Sequence, residues 1–525
     1  MLDRELKKII RQWQNTPEGR QNCGKLVLKN APNLLQIIKN SPHASRLLEL
    51  ATDCCQKSLR KDSGMFFTPA KATVFMVKNA LKLWKQDHPS LDELKAIKIL
   101  DPSCGGGEFL LAALDELFLL RKKFEPDIAD NELVLSIING NLFGIDCDKN
   151  AVELLIKRLE SKADSQVKTC NFIHANTLQF NSAADFFNST KFDIVIGNPP
   201  YVSYGLRNVN KLAADESKTL RARFPNSAEY KITLYALFME FAVNSTQNGG
   251  IHSFIVPDSF LGGQYFTKLR NFLLKKCTFE HIILLKKNIF KAVPGNLVIY
   301  LVQCQKSTKK STLQTFCLQD DIPEDLPVGH LMLQQEFLHN HRQRFRLFFD
   351  DFTHRKVKDM EATGVCRLGD LLELSSGVIG KNGKKSIIAD SPEGSKYFRK
   401  GITSGKAVKS NQPVVWQNEY INLDPQLIKS GLGKVDYDSE KILIRQTGDR
   451  IIAAVDRQKL AVLNNLHVGI SKKTQLDLDK LVQYLNSDEL NFYYQAVTME
   501  FARPMAQVDL ETLRELPLSE DFCSK

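Results

Sequence analysis

The sequence predicts an α/β protein. It should have a mostly parallel sheet covered by helices on both faces, a helical N-terminal extension and a mixed α/β C-terminal region. Three observations carry this expectation. From residue 61 to about 305, short continuous apolar runs alternate with amphipathic helical stretches. That is the pattern of strands buried on both faces and joined by crossover helices. Residues 1–60 carry apolar side chains at helical spacing, as in LLQIIKN and SRLLELA, punctuated by Pro32 and Pro42. A basic, Ser/Thr-rich break, KSTKKST at 306–312, then reads as a linker to a region with glycine-rich turns such as SSGVIGKNGKK. The predicted domains are therefore 1–60, 61–310 and 311–525.

Taken in order, the predicted strands are IKILDPS (97–103), LFGID (142–146), NFIHA (171–175), FDIVIGN (192–198), IHSFIVP (251–257), HIILLKK (281–287) and NLVIYLVQ (296–303). The helical stretches EFLLAALDELFLL and KNAVELLIKRLE separate the earlier ones. The last two strands follow each other without room for a helix, so the sheet is expected to finish with an antiparallel hairpin. Beyond the break, residues 331–360 read as helical, EKILIRQTGDRIIAAV reads as strand, and helices are expected near 478–497.

The totals bound the function. A chain of 525 residues has room for two or three domains. Its net charge of +11 favours a polyanionic partner such as nucleic acid, although solubility alone explains it as well. The 11 cysteines form no C-x-x-C and no Cys/His cluster, which argues against a structural metal and for a reducing compartment. The N-terminal MLDRELKKIIRQW lacks an apolar signal core, and runs such as LVIYLV are too short to cross a bilayer. The expectation is a cytoplasmic monomer without a membrane partner.

Three motifs carry chemistry. The first strand ends in DPSCGGGEF, Asp101 to Phe109. A strand, a glycine-rich turn and a helix form a cradle that lets backbone approach a ligand closely. The spacing is neither a dinucleotide fingerprint nor a P-loop. Asp101 would repel phosphate and suits a cationic ligand such as a sulfonium amino acid. The second strand ends in GIDCD, which puts Asp146 at a strand's C-terminal end, where open α/β sheets bind ligands. Its carboxylate can accept both hydroxyls of a ribose, while Asp148 caps the next helix. The fourth strand runs into Gly197-Asn198-Pro199-Pro200-Tyr201. The prolines have no N–H and hold Asn198 extended. The Asn198 amide oxygen and the Pro199 carbonyl then present two acceptors suited to an NH2 group, and Tyr201 adds a flat stacking face.

These motifs resemble the gamma-class, TaqI-like DNA adenine-N6 methyltransferases of restriction–modification systems, from about Phe66 to the C-terminus. Phe66-Phe67-Thr68-Pro69 corresponds to the F-T-P element that precedes the glycine-rich motif. DPSCGGGEF matches D/E-P-x-C-x-x-G-x-F, and Asn198-Pro199-Pro200-Tyr201 matches the catalytic [DNS]-P-P-[YF]. The resemblance implies a Rossmann-like seven-stranded S-adenosyl-L-methionine-dependent methyltransferase domain with a C-terminal target-recognition domain. It implies cofactor contacts from Thr68, Asp101, Ser103, Gly105, Asp146, Cys147, Asn176 and Phe238. Asn176 stands where the family often has Asp. Phe290, in NIFKAVPGNLVIY, matches the aromatic that packs with Tyr201 on a flipped-out adenine. KILIRQTGDRIIAAVD, NNLHVGI and LVQYLNSDELNFYYQ resemble the TaqI-like recognition domain.

The implied partners are double-stranded DNA and a separate cognate restriction endonuclease. The implied chemistry is direct methyl transfer without a covalent enzyme intermediate, in keeping with the absence of a Pro-Cys nucleophile. N-P-P-Y also occurs in enzymes that methylate ribosomal RNA guanine or release-factor glutamine. The F-T-P element, the Phe290 motif and the long C-terminal region favour DNA. A fused nuclease is not expected, because Pro126-Asp127 and Glu160-Ser161-Lys162 fall in a span occupied by the second strand and its helix. A non-catalytic DNA-binding subunit is disfavoured by the intact Asp101, Asp146 and Asn198.

Overall fold

The computed structural model describes residues 68–522, except 89, 205–211, 287–288, 290–294, 434 and 501–505. The helices expected in 1–60, the Phe66-Phe67 pair and Phe290 lie outside the described residues. The chain divides into two compact units, Met1–Phe345 and Arg346–Lys525.

The first unit is built on one sheet whose strands are β1 (Ile99–Asp101), β2 (Leu142–Asp146), β3 (Phe172–His174), β4 (Phe192–Gly197), β5 (Thr246–Pro257), β6 (Thr278–Leu285), β7 (Leu297–Gln303), β8 (Thr312–Leu318) and β9 (His330–Leu333). Their order is β3-β2-β1-β4-β5-β7-β6-β8-β9. The first five run parallel. β7 inserts antiparallel between β5 and β6, which is the hairpin expected from the missing helix-length gap. Each of the seven predicted strands is present. Residues such as Ile99, Leu100, Val195, Ile255 and Val298 are buried, as a sheet covered on both faces requires.

The sheet does not stop at seven strands. The basic break at 306–312 is a turn, closed by a hydrogen bond from Ser311 N–H to the Thr308 carbonyl. It leads into β8, which pairs parallel with β6, and then β9, which pairs antiparallel with β8. The division between units therefore falls after Phe345 rather than at the predicted 310/311 boundary. The helical reading of 331–360 also changes. Its start is β9, and the long helix there spans Asp351–Thr363.

Four helices position the motifs: α1 (Ala70–Asp87), α2 (Glu108–Lys122), α3 (Lys149–Ala163) and α4 (Leu234–Ser245). α1 packs on α2 and β5, while α4 packs on β4 and β5. The apolar faces of α1, α2 and α3 form one core with the sheet, including Phe75, Trp84, Leu110, Leu114 and Leu155.

The second unit contains an antiparallel four-stranded sheet of β10 (Leu372–Ser376), β11 (Lys441–Arg445), β12 (Ala453–Asp456) and β13 (Leu466–Ser471), ordered β10-β13-β11-β12. The strand-like KILIR and AAVD are β11 and β12, and the helices expected near 478–497 are Leu478–Leu485 and Asp488–Thr498. Among the described residues no helix is long and apolar enough to cross a membrane.

Candidate active site

The three predicted motifs meet at the C-terminal ends of β1, β2 and β4. Neighbouring parallel strands end at the same edge, so β1 paired with both β2 and β4 brings their loops together.

At the end of β1 the Asp101 carboxylate turns back on its own loop. Its Oδ1 accepts from Ser103 N–H at 2.9 Å. The turn then tightens through Gly105 and Gly107, at φ +50° and +94°. Gly107 is required twice over. Its conformation suits a residue without a Cβ, and a Cβ there would sit 2.3 Å from Leu155 Cδ1 on α3. The turn is clamped from α3 as well. Arg158 donates to the Gly106 carbonyl at 2.6 Å and to Glu108 at 3.0 Å.

Asp146 ends β2 facing this turn. Its Oδ2 accepts from Gly105 N–H at 2.9 Å and its Oδ1 from Asp148 N–H at 2.8 Å. Asp148 caps α3, accepting from Asn150 N–H at 2.9 Å. The cap is therefore Asp148, as expected, while both Asp146 oxygens accept from backbone N–H groups. The third strand's loop joins the same group, because Ala175 N–H donates to the Asp146 carbonyl. Asn176 uses its amide oxygen to cap the short turn Thr177–Gln179, accepting from Leu178 N–H at 3.1 Å. Thr177 Oγ1 donates to the Pro102 carbonyl at 2.6 Å. Cys147 is exposed, and its carbonyl accepts from His174 Nε2 at 3.2 Å. Phe238 is buried on α4, which packs on the Thr177–Gln179 turn.

The Asn-Pro-Pro-Tyr loop is bonded directly to the glycine-rich motif. Ser103 Oγ donates to the Asn198 carbonyl at 3.3 Å. A Cβ on Gly197 would stand 2.6 Å from Asp101 Oδ1, so only glycine lets β4 pass the carboxylate this closely. The Asn198 side chain donates through Nδ2 to Thr68 Oγ1 at 2.9 Å, 130 residues away in sequence. Pro199 is buried, and Asn198, Pro200 and Tyr201 are half-buried. Tyr201 is anchored by its hydroxyl, which donates to the Ile255 carbonyl on β5 at 3.0 Å, and its ring meets Tyr235 edge-on.

The electrostatics follow from enclosure. Burial pushes the Asp101 carboxyl well above the usual carboxylate range, and the neighbouring Asp146 and Glu108 push the same way, against the Ser103 N–H. Burial also raises Asp146, opposed by its two backbone donors. Two acidic groups held raised at one strand edge form a site short of positive charge.

Hydrogen bonds join Thr68, Asn198, Ser103 and Asp101 in one group and Gly105 with Asp146 in another, while Asn176 bonds within its own turn and Cys147 adjoins Asp146. Sequence reasoning missed Thr177, Arg158 and Gly197. Gly197 had a local signal, since a glycine directly before a rigid Asn-Pro-Pro marks a close approach. Thr177 and Arg158 had none, because their partners, the Pro102 carbonyl for one and the Gly106 carbonyl and Glu108 carboxylate for the other, are distant in sequence.

The sheet order is that of a Rossmann-like α/β domain, with the candidate site at the C-terminal ends of β1, β2 and β4. Comparisons narrow the class. Residues 140–290 match the family model of the Eco57I restriction-modification methylase, and residues 400–518 match the TaqI-like C-terminal specificity domain. It is 30% identical over 234 residues to the type II methyltransferase M.BstVI of Geobacillus stearothermophilus, covering 42% of this chain and 39% of that one. It is 27% identical over 219 residues to the type II methyltransferase M.BanIII of Aneurinibacillus aneurinilyticus, covering 41% and 34%. The matches therefore span less than half the length of these curated relatives. Among solved structures, the ATP-dependent type ISP restriction-modification enzyme LlaBIII bound to DNA is similar at a TM-score of 0.57 and 12% identity, covering 89% of this chain and 40% of that one. That likeness is one of fold.

Proposed function

We propose that this chain transfers a methyl group from S-adenosyl-L-methionine to N6 of a flipped-out adenine in duplex DNA, protecting DNA from a cognate restriction endonuclease. The observation that carries the reading is Ser103. Its N–H binds Asp101 and its hydroxyl binds the Asn198 carbonyl, so the acidic cradle and the amine-recognition loop form one rigid group. The type II methyltransferase relatives and the two matching domains support the same reading.

The residues present fit the cofactor. The Gly105 Cα faces open space, with nothing within 4 Å of where a Cβ would stand. The buried, raised carboxyl of Asp101 gains from a cationic methionine moiety, and Asp146, at the end of β2, suits ribose hydroxyls. Asn176 and Phe238 would hold the adenine, while Ser103, Gly105 and Cys147 complete the wall. The cofactor, when bound, supplies an electrophilic methyl carbon on a sulfonium.

Everything else is asked of this chain's own groups. The adenine N6 lone pair is delocalised into the ring and is a poor nucleophile. The Asn198 amide oxygen and the Pro199 carbonyl accept the two N6 hydrogens, draw the nitrogen toward tetrahedral geometry and aim its lone pair out of the ring plane. Such placement and preorganised acceptors supply most of the rate. N6 cannot be reached inside a duplex, so the adenine leaves the stack. Tyr201 and Phe290 hold it, at about 1–3 kcal/mol for each stacked base. The specificity domain selects the sequence through base edges, and Lys and Arg side chains supply general affinity.

The test is transfer of tritium-labelled methyl groups by the purified chain to duplex DNA, ribosomal RNA and cell protein in parallel. Label in DNA supports the reading. Label confined to RNA or protein supports instead an amino-group methyltransferase acting on guanine or glutamine.

A further inference from the structure

We propose that Thr68 is a positioning residue for the Asn198 amide. This rests on the reading above only where the test uses turnover. Asn198 Nδ2 donates to Thr68 Oγ1 at 2.9 Å, while Ser103 Oγ donates to the Asn198 carbonyl at 3.3 Å. One motif therefore grips the side chain of Asn198 and another grips its main chain.

The grip at Thr68 is stiff for three reasons. Thr68 is 5% exposed, so water does not compete for its hydroxyl. Threonine is β-branched and confined at χ1. Pro69 follows, and the residue before a proline is restricted to extended backbone. Directly after it the chain enters α1, where Ala72 and Thr73 N–H groups donate to the Pro69 carbonyl. Pro69 also prevents Thr68 from entering the helix. The hydroxyl is thus carried on a preorganised backbone.

Asn198 needs such a partner. An asparagine side chain turns about two torsions, and its terminal one is broad. Its donor and acceptor corners have nearly the same shape, so hydrogen bonding alone fixes which way it faces. Amine recognition depends on the position of the acceptor corner to within a fraction of an ångström. A hydroxyl holding Nδ2 fixes the amide plane and with it the place of Oδ1. Thr68 then acts through Asn198, and its loss is felt in turnover rather than in cofactor affinity.

The test compares the full chain with its Thr68→Val and Thr68→Ser variants, after circular dichroism and thermal melts show that each is folded. Val keeps the shape and loses the hydroxyl. Thr68→Val is expected to lower kcat on the order of tenfold, about 1.4 kcal/mol, and to leave the cofactor Kd from calorimetry within about twofold. Thr68→Ser restores turnover to within about threefold of the wild type. Crystal structures of the wild type and Thr68→Val give a readout independent of substrate. The Asn198 side chain is expected to change rotamer or lose order in the variant. A raised cofactor Kd with unchanged kcat, or an Asn198 side chain that stays in place without the hydroxyl, overturns the inference. Failure of the wild type to methylate DNA would instead remove the proposed function and leave the crystallographic comparison to decide on Thr68.

Discussion

Replacing Asp101 with Asn separates what the acidic cradle costs the fold from what it does for the ligand. Asp101 is 1% exposed, and the charges that act on it are the carboxylates of Asp146 and Glu108. Its pKa is therefore raised in the folded state. The unfolded chain loses this proton near pH 4, while the folded chain keeps it to higher pH. Over that window the folded state binds more protons, so stability falls as pH rises, by about 1.4 kcal/mol per pH unit. At pH 7 the ceiling on this loss is about 4 kcal/mol. Asn cannot ionise and keeps the shape and the oxygen that accepts from Ser103 N–H. Asp101→Asn should match the wild type near pH 4 and exceed it increasingly as pH rises, by no more than about 4 kcal/mol at pH 7, without cofactor. The same change removes the group suited to a cationic ligand, so affinity for S-adenosyl-L-methionine should fall. Urea unfolding across pH 4–8 and calorimetry at pH 7 read the two effects. A variant less stable than the wild type at pH 7, or a difference that does not change with pH, would refute the argument.

Asn198→Ala should lower methyl transfer at least a hundredfold while duplex binding in a gel-shift assay stays close to wild type; wild-type turnover would remove Asn198 from the mechanism. Gly107→Ala combines a left-handed backbone, about 1–2 kcal/mol, with overpacking against buried Leu155, about 1–3 kcal/mol, and should lower the urea midpoint of the first unit. In the second unit Lys441 Nζ meets Asp456 Oδ2 at 2.7 Å with both side chains fully buried. Asp456→Ala strands that cation and removes the acceptor for the Gln458 and Leu460 N–H groups, so chemical denaturation should show a loss of about 3–5 kcal/mol.

The core of the first unit was legible because parallel strands buried on both faces must be continuously apolar. β4 left the run Ile194-Val195-Ile196, whereas the run of β5 is broken by His252 and Ser253 and is legible from the apolar Phe254-Ile255-Val256 beyond them. The site was legible because its acids and its Asn-Pro-Pro lie directly at strand ends, so sequence position fixes spatial position. β8 and β9 were hidden for the converse reason. In TLQTFCL the apolar residues are interrupted by polar ones, the run follows a basic break, and it pairs with β6 rather than with β7, its neighbour in sequence. The helix Asp130–Asn141 escaped because DNELVLSIINGN begins and ends in turn-forming residues. The bond between Thr68 and Asn198 joins positions 130 residues apart, and neither residue carries a local sign of the other.

The most direct measurement is nucleoside analysis, by mass spectrometry, of duplex DNA incubated with the purified chain and S-adenosyl-L-methionine, with Asn198→Ala in parallel. The account predicts N6-methyladenine from the wild type and none from the variant. 4-Methylcytosine in its place, or N6-methyladenine formed equally by both proteins, would contradict it.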